Sequence, residues 1–128
     1  MLLAGALAVS LGACGGGAPT PACDAYGALR DAVAAMNTAQ GDPATVATKV
    51  DEVDGLVRTA RRRLAGAQAD ERIAPAVRAM QEAANYLEHM VGQFRTDGAV
   101  DFSLTRFASR ELTRALAGAG GAPLSCRR

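Results

Sequence analysis

The chain has no tryptophan, only two tyrosines and three phenylalanines, a single histidine and, in Lys49, a single lysine. So little aromatic volume excludes a core built on large rings and favours closely approaching helices with small side chains, alanine above all. His89 has no second histidine to pair with. Tyr86 stands three residues before it, where a di-iron helix carries glutamate. Neither sign of charge dominates. A formal net charge of +1 gives no global field that draws in nucleic acid. Alternating polar and apolar residues are missing as well, so no strand is expected, and no internal repeat appears. The longest apolar run, Leu2 to Leu11, holds about ten residues, too short to span a bilayer and suited to the hydrophobic segment of an export signal.

That run leads into Leu11-Gly12-Ala13-Cys14, an aliphatic residue, two small residues and a cysteine, followed by Gly15-Gly16-Gly17-Ala18-Pro19-Thr20-Pro21. The pattern resembles the lipobox of bacterial lipoproteins, and the resemblance covers residues 1–14 alone. It implies that the Cys14 thiolate takes a diacylglyceryl group. Leu11, Gly12 and Ala13 would enter the signal-peptidase cleft, cleavage would fall before Cys14, and the new amino group would be acylated. One acyl chain holds a protein to a bilayer marginally, two or more hold it stably. The alternatives are a plain secretory signal or a buried apolar helix, and the triple glycine argues against a continuing helix. In one respect the chain departs from the family. Export signals open with Lys or Arg, whereas Met1-Leu2-Leu3 supplies only the terminal amine, so the true start is expected upstream of Met1. Arginine used in place of lysine, with abundant alanine and glycine, points to a GC-rich genome and a small lipoprotein of actinobacterial type.

The expected organisation is a signal peptide over residues 1–13, a Gly/Pro-rich tether over 14–22, and one folded domain over 23–126. With Cys14 assigned to lipid, Cys23 and Cys126 remain as an even pair. Outside the cytoplasm a disulfide between them is expected. Two free thiols or a redox site are the alternatives, and the absence of a Cys-x-x-Cys spacing weighs against the latter.

Four amphipathic helices follow from the spacing of apolar residues. The first runs from about Ala22 to Gln40 on Ala22, Tyr26, Leu29, Val33 and Met36. Gly41-Asp42-Pro43 then supplies a left-handed helix end, an N-cap and a first-turn proline in succession. The second, from Pro43 to about Ala65, carries Val46, Val50, Val53, Val57, Ala60 and Leu64. The third, from about Asp70 to Thr96, carries Ile73, Val77, Met80, Ala84, Leu87, Val91 and Phe94. Asp70 suits an N-cap there, with Pro75 displacing the helix start. Asp97-Gly98 ends it. Asp101 or Ser103 caps a fourth helix reaching Gly118 on Leu104, Ala108, Leu112, Ala115 and Leu116. Short connections make this an all-α, up-down-up-down four-helix bundle. An even number of alternating helices returns the C-terminus to the end where the first helix began, which brings Cys23 and Cys126 together.

No nucleophile–base couple or converging carboxylate pair is present, so the chain is expected to be no enzyme and to need no cofactor. No metal site is expected either, Met80 belonging to the core stripe and Met36 and Met90 having no histidine set to join. Asp54 and Arg58 make an ordinary i,i+4 ion pair beside Asp51 and Glu52. A lipid on Cys14 would turn one end of the bundle to the membrane. Arg58, Arg61, Arg62, Arg63, Arg72, Arg127 and Arg128 belong to that end, where they would either face anionic head groups or simply offset a helix dipole and stay solvated. Asp42, Arg95, Asp97 and Asp101 fall at the far end. Arg106, Arg110 and Arg114 form a stripe suited to an anionic polymer or to solvent. The expectation is a membrane-anchored, extracytoplasmic, non-catalytic binding module of the cell envelope, whose partner is an envelope protein or polymer. A small-molecule or metal carrier with an apolar cavity among Val50, Val57, Met80, Leu87 and Leu112 is the alternative.

Overall fold

Apolar residues recurring every three or four positions coil into four helices. The computed structural model describes residues 20–126. Its elements are α1 (Thr20–Gly41), α2 (Val46–Ala67), α3 (Ala74–Asp97) and α4 (Ser103–Leu116), with short 3₁₀ turns at Pro43–Thr45 and Glu71–Ile73. Residues 1–19, with the lipobox, and Arg127 and Arg128 lie outside the described residues.

α1 starts earlier than expected. Thr20 and Pro21, assigned from sequence to the tether, form its first turn with Ala22. A first-turn amide has no partner inside the helix, so Pro21 loses nothing there, and Ala22 is fully buried. This turn lies against the last turn of α2, since a Cβ on Gly66 would stand 3.8 Å from that of Pro21.

The first junction also differs from its expected chemistry. Gly41 is the last residue of α1 and is not left-handed. Asp42 makes no side-chain cap. Its carbonyl oxygen accepts from both the Thr45 amide at 2.9 Å and the Thr45 hydroxyl at 2.8 Å. The amide that a capping carboxylate would take is therefore engaged, and Pro43 enters a 3₁₀ turn while α2 proper begins at Val46.

The other junctions follow the residues more closely. The Asp70 carboxylate accepts from the Arg72 amide at 3.0 Å, capping the 3₁₀ turn, and α3 begins at Ala74 with Pro75 in its first turn. Gly98 is left-handed at φ 75° and donates to the Phe94 carbonyl at 2.7 Å, ending α3. Asp101 accepts from the Ser103 amide at 3.0 Å and from its hydroxyl at 2.6 Å, starting α4.

One core holds the four helices together. Leu29, Met36, Leu64, Met80, Leu87, Met90, Val50, Val53 and Val57 are fully buried, each contributing on the order of 1.5–3 kcal/mol of apolar transfer. Of the expected stripes, Tyr26, Val46 and Phe94 are half-buried at its edge. Leu116, placed inside by its spacing, is exposed, because α4 ends there and the chain turns away. A second row of small residues, Ala76, Ala79 and Ala83 of α3 with Ala25, Ala28, Ala32 and Ala35 of α1, is buried beside the first. Such residues let helices approach closely. α1 packs against α3 across the diagonal as well as against α2 and α4, while α2 and α4 have no Cα pair within 8 Å. The cross-section is a flattened rhombus.

The tail after α4 returns to the start of α1. Leu124 is buried, the Ala122 amide donates to the Arg72 carbonyl at 3.0 Å, and Cys126 is bonded to Cys23 with Cα atoms 5.4 Å apart. Sequence-adjacent helices run antiparallel: Arg61 of α2 meets Glu88 of α3, and one step further along, Asp54 meets Arg95.

Candidate functional site

Hydrophobic side chains take up the inward faces of the helices, which leaves the polar and charged side chains on the surface and at the two ends. One end gathers Cys23, the α2–α3 junction and the tail. The other gathers the α1–α2 and α3–α4 junctions. Among the described residues no helix is long and apolar enough to cross a membrane.

Of the arginines expected at the first end, most hold a carboxylate. Arg58 reaches Asp54 at 3.1 Å, the helical pair expected from spacing. Arg61 makes a two-pronged contact across helices, its Nη2 and Nε donating to the two Glu88 oxygens at 2.7 and 3.0 Å. The same Nη2 also donates to Asn85 Oδ1. The hydrogen bond to Glu88 raises the Arg61 pKa, with burial opposing it. Arg63 stands 3.8 Å from Asp24, and Arg72 donates to Asp70 at 2.9 Å. Among the described residues Arg62 has only the Thr59 hydroxyl, at 3.2 Å. Arg127 and Arg128 fall outside the described residues.

The stripe on α4 is likewise occupied in part. Arg114 donates to Glu111 at 2.7 Å and the Arg110 guanidinium lies 5.2 Å from the centre of the Phe107 ring. Toward the far end, Arg95 is clamped between Asp51 and Asp54, at 3.1 Å from each, which raises its pKa chiefly through the Asp54 hydrogen bond. Lys49 pairs with Glu52. Spacing within one helix revealed the Asp54–Arg58 pair but not these contacts between helices.

Shallow grooves cross this surface among the described residues. One of about 400 Å³ borders the disulfide and is lined by Cys23, Tyr26, Gly27, Arg30, Leu116 and Cys126, among others. Another, of about 320 Å³, runs between α3, α4 and the tail, with Arg78, Gln81, Glu82 and Arg114 on its walls. A third, of about 270 Å³, lies on the opposite side of Arg78, with Gln68, Val77 and Gln81. The fourth, about 410 Å³, follows the outer side of α3 past Glu88, His89, Gln93 and Asp97. Gln93 Oε1, at its floor, is the one buried side-chain oxygen or nitrogen without a hydrogen-bond partner among the described residues.

His89 is exposed and adjoins no second metal-ligating cluster. Among the described residues no group of three or more His, Cys, Asp or Glu side chains converges. Val50, Val57, Met80, Leu87 and Leu112 are all buried, and none of them lines any of these grooves. No family model, no curated protein and no solved structure matches this chain.

Proposed function

We propose that the protein is a lipid-anchored, extracytoplasmic, non-catalytic binding module of the cell envelope, held to the membrane through Cys14. What supports this reading is the allocation of its three cysteines. Cys23 and Cys126 are bonded to one another, which takes two of the three cysteines and leaves Cys14, in the sequence Leu11-Gly12-Ala13-Cys14, for acylation. A disulfide closing the whole domain also suits an oxidising compartment. Binding is favoured over carriage because the grooves described above lie on the outer surface and none is lined by Val50, Val57, Met80, Leu87 or Leu112.

Labelling cells with an alkyne-bearing fatty acid tests the anchor. The protein is expected to take up the label and to sediment with membranes, and Cys14→Ser to lose both properties. A Cys14→Ser protein that still carries label and still sediments with membranes would remove the lipid from this position and the reading with it.

A further inference from the structure

Cutting each helix at its midpoint divides the charge unevenly. The half that contains the disulfide comprises residues 20–30, 57–85 and 110–126. It carries nine arginines against five carboxylates. The other half carries Lys49, Arg95 and Arg106 against eight carboxylates. A formal net charge near zero thus conceals a strong separation from end to end.

Ion pairing sharpens this separation. Of the five carboxylates in the basic half, Asp24, Asp70 and Glu111 are taken by Arg63, Arg72 and Arg114. Glu71 and Glu82 have no ion-pair partner within 4.0 Å among the described residues. Arg58 and Arg61 draw their partners, Asp54 and Glu88, from the other half. Arg62, Arg78 and Arg110 have no carboxylate within 4.0 Å among the described residues and are exposed. Leu116, the one large apolar side chain that is exposed among the described residues, belongs to the same half and borders the groove beside Cys126. Arg30 lines that groove as well, and an excess of exposed basic side chains is what favours an anionic lipid surface.

Chain length sets how near that surface comes to a bilayer. α1 begins at Thr20, so only residues 15–19 separate Cys14 from the folded domain, and five residues reach at most about 18 Å. Cys126 is bonded to Cys23, so the start of α1 and the tail meet at this same end. A cation so close to an anionic surface lies within reach of its potential, which decays over about 8 Å at physiological salt.

We propose that the disulfide end of the bundle docks on anionic phospholipid head groups through Arg62 and Arg78, so that the acidic end faces away from the membrane. This placement rests on the lipid anchor for its proximity, but the docking surface itself is a property of the folded chain.

The test uses the full chain extracted from membranes and reconstituted into vesicles, either all phosphatidylcholine or with a third of phosphatidylglycerol. A fluorescent amino acid replaces Gln68, at the α2–α3 junction, or Asn37, near the far end of α1, and a quencher is carried on the lipid head groups. The Gln68 probe is expected to be quenched on anionic vesicles, to be relieved by 0.5 M salt, and to be relieved likewise by Arg62→Glu with Arg78→Glu. The Asn37 probe is expected to stay bright throughout. Equal quenching at Gln68 on neutral and anionic vesicles, or quenching untouched by the two substitutions in a variant of unchanged circular dichroism, overturns the docking. If the anchor is absent, neutral vesicles will not sediment the chain. Docking then predicts sedimentation with anionic vesicles alone, weakened about fivefold for each arginine removed, and sedimentation with neither kind overturns it.

Discussion

Cys23 and Cys126, 103 positions apart in the sequence, are bonded to each other, so one covalent bond closes every helix of the domain into a single loop. In the chain-entropy account, a loop of this length raises stability by about 4 to 5 kcal/mol, mostly by restricting the unfolded chain. For a domain of this size and modest core, that is a large share of the total. Reduction with dithiothreitol, or Cys23→Ser with Cys126→Ser, is expected to lower the melting temperature by roughly 20 °C while leaving far-UV circular dichroism at 10 °C largely helical. A melting curve unchanged by reductant, followed by circular dichroism, sinks the assignment of this bond as the main brace.

A second prediction concerns acid. The Ser103 hydroxyl and amide hold the Asp101 carboxyl below its usual value near 3.8, and Arg72 does the same for Asp70. A carboxyl whose folded pKa is depressed adds stability above its unfolded pKa and withdraws it as pH falls through the folded value. The domain is therefore expected to lose stability as pH drops below about 4. Asp101→Asn, which removes the ionisable group, should start less stable at pH 7 and lose less between pH 5 and pH 2. Chemical denaturation at the two pH values checks this, and an Asp101→Asn variant with the same acid sensitivity as the parent would remove Asp101 from the account.

Helix number, order and closure were legible in the sequence because they rest on periodicity, which is local. The stripes Val50–Val53–Val57–Ala60–Leu64 and Ile73–Val77–Met80–Ala84–Leu87–Val91 are buried as their spacing implies. Legibility fails where backbone geometry competes with side-chain habit. Gly41-Asp42-Pro43 reads as one sharp helix stop and start, yet Thr45 takes the Asp42 carbonyl and the turn closes as 3₁₀. The wider alanine row of α1 and α3 was hidden for another reason. Alanine is abundant on every side of these helices, so its presence does not tell an inner face from an outer one. The contacts of Arg61 and Arg95 depend on how two helices are set side by side, and no spacing within either helix encodes that.

The return of the tail depends on glycine more than on burial. Gly118 sits at φ 98°, and a Cβ there would meet the Gly121 carbonyl oxygen at 2.6 Å and the Pro123 nitrogen at 3.0 Å. Both are backbone atoms, so relief requires moving the chain that carries Cys126. Gly118→Ala is expected to cost about 1 to 3 kcal/mol and to slow oxidation of Cys126 with Cys23 during refolding. Gly98→Ala shares the positive φ but meets nothing within 4 Å, so it serves as the control for conformational strain alone. If trapping free thiols during refolding shows Gly118→Ala oxidising as fast as Gly98→Ala, the close approach in the tail has no part in closure.

The choice between a binding surface and a carrier turns on how full the core is. Leu87 and Ala84 are adjacent on the inner stripe of α3, and both are wholly buried. In a filled core, Leu87→Ala leaves a void and costs about 2 to 5 kcal/mol. Ala84→Leu overpacks and costs about 1 to 3 kcal/mol. An interhelical cavity large enough for a ligand reverses the second sign, because the added side chain would occupy empty space and stabilise the domain. Urea denaturation of the two variants reads both. Destabilisation by Ala84→Leu places binding on the outer surface, where the grooves and the separated charges are. Stabilisation by the same substitution would return the function to the interior.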